Sequence, residues 1–344
     1  MRYKAFLHLC LSAALLIAGC GKDEQEDIGL AEVPKELDKA DASEELKYSF
    51  PLTGIATNID TDQRVVAAMV NNHPKARPQS GISQADIVYE LLAEGDVTRF
   101  LAIYQSEKPD RIGPNRSARD YYIRLAEGMD SIYICHGYSP EAKEMLKEGV
   151  VDSLNGLAYD GTLFERDKSR KAPHNSYITY ENIMEGAEEN GFDVTGAPDS
   201  LPFLTEDETH SIAGEDVTEA TVKYGSSSFD ATYEYDLDEG KYIRSVDGEQ
   251  TIDAETDREV LLDNVIVMEA PHEIIDQEGR RNIDLTGNGE AYLLQKGKLV
   301  EIQWQNIDNV LHFSKDGEPV KFVPGKTWVN IVPDNPGLGS AIDF

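Results

Sequence analysis

Cysteine is nearly absent: Cys10, Cys20 and Cys135 are the three thiols in 344 residues. That excludes a disulfide framework and a cysteine-rich zinc module. Positive charge is also short, with 32 Lys+Arg against 64 Asp+Glu and a net charge of −32. The deficit excludes a general nucleic-acid binder, which must neutralise phosphates with cations. It equally excludes docking on anionic lipid by charge alone. The apolar stretch Ala5 to Ala18 falls short of the ~20 residues that a comfortable transmembrane helix needs. HExxH, GxSxG, SxxK, a GxGxxG in its proper context and the Gly-x4-Gly-Lys-Ser/Thr phosphate loop are all missing. Asp236-Leu237-Asp238-Glu239-Gly240 lacks the remaining ligands of a calcium loop. No metal and no cofactor are therefore expected. Hydrophobic residues make up 40% of the chain, enough for real cores.

The N-terminus reads as an address. Arg2 and Lys4 precede the apolar stretch, which is the layout of a secretory signal. It closes on Leu16-Ile17-Ala18-Gly19-Cys20, which resembles the lipobox of bacterial lipoproteins, where cleavage precedes the cysteine and the thiol receives a diacylglycerol. Residues 1–19 are thus expected to be a lipoprotein signal peptide and Cys20 the lipidated residue. Two acyl chains anchor stably where one holds only marginally. Residues 20–49 are dense in Asp and Glu and poor in large apolar side chains, the composition of a flexible acidic tether. Cys135 would be the one free thiol, inside an apolar run that marks it as a core residue.

The remainder divides by pattern. Residues 50–197 alternate strand-like and helix-like runs. Arg64 to Val70 reads as a buried strand, and Ile87–Leu92 and Thr98–Tyr104 flank Glu94-Gly95-Asp96 as a hairpin. Ser117–Glu127 reads as a helix, with Ser117 and Asp120 at capping-box spacing. Ser131–Cys135 reads as a strand. Ser139-Pro140 is a helix start, and Tyr180–Asn190 a helix stopped by Gly191. Residues 198–216 are polar and read as a linker. Residues 217–335 hold short strands separated by turns such as Asp247-Gly248 and Lys296-Gly297. The expected fold is α+β: a mixed α/β domain over 50–197, then a small, mostly antiparallel β-rich domain over 217–335. Trp304 and Trp328 are expected in the β core.

Cations are concentrated in one place. Residues 64–175 hold 15 Lys+Arg against 16 Asp+Glu. Nine of these cations are arginines, whose planar fork matches phosphate or carboxylate. Two readings stay open: a local anion site, or internal pairing with the segment's own acids. Arg116 and Arg119 fall at the start of the expected helix, where the macrodipole disfavours cations unless an anion lies nearby. His73, His136 and His174 follow strands or sit in polar loops, positions that often carry function. Arg77, Arg99, Arg111, Arg116, Arg119, Arg170 and Lys171 are the candidate anion contacts, with His73 and Asn175 as orienting groups. His136 and His174, with Glu90 as partner, are the candidate acid–base set for a hydrolase; taken alone, Glu90 and Glu94 beside the hairpin turn read as solvent-facing strand carboxylates.

Several motifs carry a resemblance: Asn71-Asn72-His73-Pro74-x-Ala76-Arg77-Pro78-Gln79-Ser80-Gly81, Ala85-Asp86-Ile87-Val88-Tyr89-Glu90, Gly113-Pro114-x-Arg116-Ser117-Ala118-Arg119 and Ala172-Pro173-His174-Asn175. With the lipobox, they resemble the YerB-like lipoproteins, bacterial envelope proteins with two domains of unknown function. The resemblance covers residues 51–333. It implies a mixed N-terminal and a β-rich C-terminal domain, and the outer face of the cytoplasmic membrane of a Gram-positive type of bacterium. It implies no particular substrate or catalytic residue. The leading expectation is a membrane-anchored lipoprotein binding an anionic or polar envelope ligand, such as a cell-wall polymer, through its Arg/His-rich segment. The alternatives are an envelope hydrolase of glycans or phosphodiesters, or a β domain that docks on wall-synthesis proteins.

Overall fold

The structure, a computed structural model, describes residues 46–344. The signal segment, Cys20 and the tether up to residue 45 lie outside the described residues. The last tether residues, Tyr48–Ser49, pair with Ala56–Thr57.

The elements that position the site are, in chain order, β1 (Val66–Asn71), β2 (Ile87–Glu94), β3 (Val97–Tyr104), α1 (Asp120–Gly128), β4 (Ile132–Cys135), α2 (Pro140–Glu148), β5 (Asp152–Asn155), β6 (Phe164–Arg166), β7 (Ser176–Ile178) and α3 (Tyr180–Asn190). They continue with β8 (Glu219–Val222), β9 (Ala231–Asp236), β10 (Lys241–Val246), β11 (Asn264–Ala270), β12 (Asn288–Gln295), β13 (Lys298–Ile307), β14 (Val310–Lys315) and β15 (Thr327–Pro333). The fold is α+β, mixed in its first part and β-rich in its second.

A 12-stranded sheet runs through both parts in the order β14-β13-β12-β11-β15-β2-β3-β1-β4-β5, with short strands added at Glu318–Pro319 and Glu215–Asp216. β11, β15 and β2 are mutually parallel, as are β1, β4 and β5. The central strands are buried on both faces, which explains why β1 reads as a continuous apolar run rather than an alternation. One face, through Ala67, Met69, Leu101 and Tyr133, packs on α1 and α2. The other, through Val70, Phe100 and Trp328, packs on a six-stranded sheet built around β8, β9 and β10. Trp304, Trp328 and Cys135 are buried, as their apolar surroundings predict.

The structure corrects three local expectations. The first helix begins at Asp120, not Ser117. Its N-cap is Arg119, in extended conformation, with no side-chain capping bond. Ser117 Oγ instead donates to the His136 carbonyl at 3.2 Å, because residues 112–118 are held as an extended segment. Its backbone pairs with Ser80, Met69, Gly137 and the β7 strand. The expected linker 198–216 is partly ordered: Thr205 and Glu208 form a capping box on Glu206–Thr209, and Glu215–Asp216 joins β13. Glu90, which reads as a solvent-facing strand carboxylate, is fully buried.

Candidate functional site

Three loops meet at the carboxyl ends of β1 and β4, where α/β sheets commonly bind ligands. β1 leads into Asn71-Asn72-His73. β4 leads into His136. The loop before β7 brings Arg170, Lys171, His174 and Asn175. Arg116 lies between them, because its backbone is pinned at both sides. Its N–H donates to the Met69 carbonyl at 3.0 Å, and its carbonyl accepts from the His136 N–H at 2.9 Å.

His73 and His174 stack with ring centroids 4.6 Å apart. Asn71 holds them together: its Oδ1 accepts from the His73 N–H at 3.0 Å, which turns Nδ2 toward His174 Nδ1 at 2.9 Å. His73 Nδ1 accepts from the Lys75 N–H at 3.1 Å. Both neutral rings thus carry their proton on Nε2, as assigned from these partners. Burial lowers the pKa of each ring, and neighbouring positive groups lower it further: Lys75, Arg116 and Arg77 for His73, and His73, Arg116, Lys75 and Arg170 for His174.

His136 is engaged on both sides. Arg166 Nη2 donates to its Nε2 at 2.7 Å, so Nδ1 carries the proton and donates to Ser176 Oγ at 2.7 Å. Burial and then Arg166 lower its pKa. The ring fits because residue 156 is glycine: a Cβ there would lie 2.0 Å from His136 Nδ1. Asn175 receives Arg166 Nη1 on its Oδ1 at 3.2 Å and ties its own loop through the Asp167 and Arg170 carbonyls.

The arginines divide into two groups. Arg64 pairs with Asp130 and Asp152. Arg99 and Arg119 share Glu94. Arg111 faces Glu165, Asp167 and Glu255 and stacks 3.7 Å over Tyr177, and Arg166 holds Asp160. These five pair internally. Arg116 has no carboxylate within ion-pair distance among the described residues, and its Nε is buried without a hydrogen-bond partner. Burial, followed by Arg99, pulls its pKa down to about 10. Arg170 donates Nη2 to the Pro78 carbonyl at 2.7 Å and leaves Nη1 buried without a partner. Lys171 is exposed. Arg77 donates to Asn72 Oδ1 and to the Ser228 carbonyl.

Glu90 stands apart. One oxygen accepts from Asn72 Nδ2 and Thr98 Oγ1, the other from Arg244 Nη2 at 2.8 Å and Trp328 Nε1 at 3.0 Å. It braces the two sheets and is occupied on both oxygens. Its partner Arg244 escapes sequence reasoning, although the signal was present: β10 alternates Tyr242, Arg244, Val246 on its buried face. Arg166, Ser176 and Asn71, which orient the histidines, were likewise legible only as polar loop or strand-end residues. Among the described residues, no three His, Cys, Asp or Glu side chains gather in a metal-holding group.

Comparison with known proteins places the whole architecture. Residues 52–193 match the family described as Protein of unknown function (DUF3048) N-terminal domain, and residues 220–329 match its C-terminal domain. The chain therefore belongs to the two-domain DUF3048 family, in its YerB-like branch. It is 47% identical over 291 residues, 84% of this chain and 87% of the relative, to the Bacillus subtilis (strain 168) protein described as "Putative lipoprotein YerB". The crystal structure of YerB protein from Bacillus subtilis superposes with a TM-score of 0.80 at 45% identity, covering 86% of this chain and 99% of that one.

Proposed function

We propose that the protein is a lipid-anchored envelope receptor for an anionic ligand, tethered through Cys20 at the outer face of the cytoplasmic membrane. The ligand is a phosphate- or carboxylate-bearing group, as on a cell-wall polymer. The observation that carries this reading is Arg116: a mostly buried guanidinium with no acid partner among the described residues, set among three imidazoles. An uncompensated buried cation is costly, and arginine cannot relieve the cost by losing its proton at neutral pH. A bound anion would relieve it. The surroundings are rich in donors, namely the Arg116 fork, the Nε2–H groups of His73 and His174, and Arg170. Oxyanions accept from such groups. The lipobox and the YerB relative's description support the anchor.

The same geometry weighs against hydrolysis by the set His136, His174 and Glu90. An acid or base must have an atom free to exchange a proton with the substrate. Glu90 has both oxygens taken, and His136 has both ring nitrogens taken.

The test is an orthophosphate titration at pH 7 followed by the histidine ring NMR signals of the full chain. The His73 and His174 signals should move saturably, and Arg116→Gln should weaken the effect at least about tenfold. The reading fails if nothing saturates by about 50 mM phosphate, or if Arg116→Gln binds as the parent does.

A further inference from the structure

A cleft of about 340 Å³ opens between loop 74–79 and the hairpin at 246–252. Neither Arg116 nor any of the three site histidines lines it. Pro74, Pro78, Val246 and Ile252 give it apolar walls, and Arg77 is the one cation on its lining. Arg77 forms no ion pair among the described residues, although Glu90 and Asp247 lie near enough to favour its charge. Its Nε donates to Asn72 Oδ1 at 3.1 Å and its Nη2 to the Ser228 carbonyl at 2.7 Å, which leaves Nη1 without a protein partner among the described residues. Burial pulls its pKa down to about 10, with Arg244 adding to the effect and Glu90 and Asp247 opposing it.

Two carboxylates, Asp247 and Glu249, complete the charge pattern on the lining. Both are exposed, and neither forms an ion pair among the described residues. Their place is fixed by turn chemistry. Val246 pairs with Glu249 across a two-residue turn in which Asp247 has φ 56° and Gly248 φ 75°, the left-handed pair that tight hairpins use. The cleft therefore offers one tethered cation, two rim anions and a small apolar wall, all preformed.

We propose that this cleft binds a short zwitterionic peptide with small apolar side chains. Its carboxylate meets Arg77 Nη1, its ammonium faces Asp247 and Glu249, and its side chain lies on the proline, valine and isoleucine wall. A simple anion fits less well because the rim acids repel it, and a simple cation because Arg77 does. A single large apolar ligand would leave the Arg77 Nη1 desolvated without a partner. The cleft shares no lining residue with Arg116 or the three histidines, and the proposal holds or fails separately from the Arg116 reading.

The probe is alanylalanine, in its L,L and D,D forms, added to the full chain with labelled isoleucine and valine methyls. The Ile252 and Val246 methyls should shift saturably with at least one form. N-acetylation or C-terminal amidation of that form should each weaken binding about fivefold or more. Arg77→Gln should abolish it. Because Arg77 also tethers Ser228, the surface pair Asp247→Asn with Glu249→Gln supplies a second variant that leaves the fold alone. It should reproduce the N-acetyl loss with the unblocked peptide. No saturable shift with either form up to about 50 mM, or equal binding of free and blocked peptides, overturns the proposal. Orthophosphate titrated into the same samples separates the two sites: Arg116→Gln should remove the histidine response and leave the methyl response unchanged.

Discussion

Arg244 is a fully buried guanidinium and Arg116 a partly buried one, and the chain treats them in opposite ways. Arg244 is fully enclosed between the two sheets, with Glu90 at 2.8 Å, Thr251 Oγ1 at 2.8 Å and the Trp328 ring 4.5 Å from its fork. Arg116 is fixed by its backbone between two strand ends, with three imidazoles near it and no carboxylate in ion-pair distance among the described residues. On the proposed function, the difference separates a brace from a receptor. A brace completes its charge within the protein, whereas a receptor leaves the completion to a ligand. His272 shows a third solution. Burial pushes its pKa down to about 4. Its Nδ1–H donates to the Ala270 carbonyl at 2.7 Å, while Nε2 is buried without a donor, so the ring stays neutral.

The largest expected effect comes from opening the brace. Glu90→Gln leaves Arg244 enclosed without its counter-charge and should cost about 3–5 kcal/mol. Urea unfolding measures it. The double variant Glu90→Gln with Arg244→Met should recover much of the loss, because the pair as a whole is worth less than either half alone. A cost below about 1 kcal/mol for Glu90→Gln would mean that the enclosure relaxes, and the contrast with Arg116 would lose its basis.

His272 sharpens the comparison through pH. Its folded pKa lies below the ordinary value, so the unfolded chain takes up the proton first as pH falls. Its neutral-state stability is therefore present above about pH 6.5 and is lost on acidification toward pH 4. The loss is on the order of 3 kcal/mol at most. His73, His136 and His174 have lowered pKa values and slope the same way. In His272→Gln, the urea midpoint should fall less between pH 7 and about pH 4.5 than in the parent. An equal fall would assign the acid sensitivity elsewhere.

How much of this was legible in the sequence follows from range. Elements whose signal is local were readable: the β2–β3 hairpin, the Ser139-Pro140 helix start and the Gly191 stop. His73, Arg116, His136 and His174 stood out singly, as residues that border strand ends, and no local signal announced that they would lie near one another. Pairing across the sheet was not readable. Nothing near Glu90 in the chain announces Arg244, 154 residues away, so a buried brace reads as an exposed carboxylate. The late start of α1 was hidden for the same reason. Ser117 has good capping spacing, but strand-like hydrogen bonds to β1 and β4 outweigh a local cap worth about 1 kcal/mol. The split of the arginines into paired and unpaired likewise depends on acids as distant as Glu255, which reaches Arg111.

Gly156→Ala tests the mounting of the histidines. The added methyl meets the His136 ring, so the ring must leave Ser176 and Arg166 or the β5 end must shift. Overpacking of this kind costs about 1–3 kcal/mol. The downfield Nδ1–H signal of His136 should disappear in the variant. Its persistence with unchanged stability would show that the loop at the end of β5 yields freely.

The smallest effect on stability is expected where the effect on binding is greatest. Arg116→Gln removes a desolvated charge and breaks no side-chain hydrogen bond or ion pair found among the described residues. Its stability should stay level or rise by up to about 1 kcal/mol. Arg244→Gln, at a fully enclosed site, should instead lose several kcal/mol, since it strands Glu90. Measured together in urea without phosphate, the two variants contrast a charge compensated within the protein with one that has no ion pair. Adding phosphate should then stabilise the parent and not Arg116→Gln, because a ligand stabilises only the folded state that binds it. If Arg116→Gln loses as much stability as Arg244→Gln, then Arg116 is a brace with partners that form in solution, and the receptor reading falls with it.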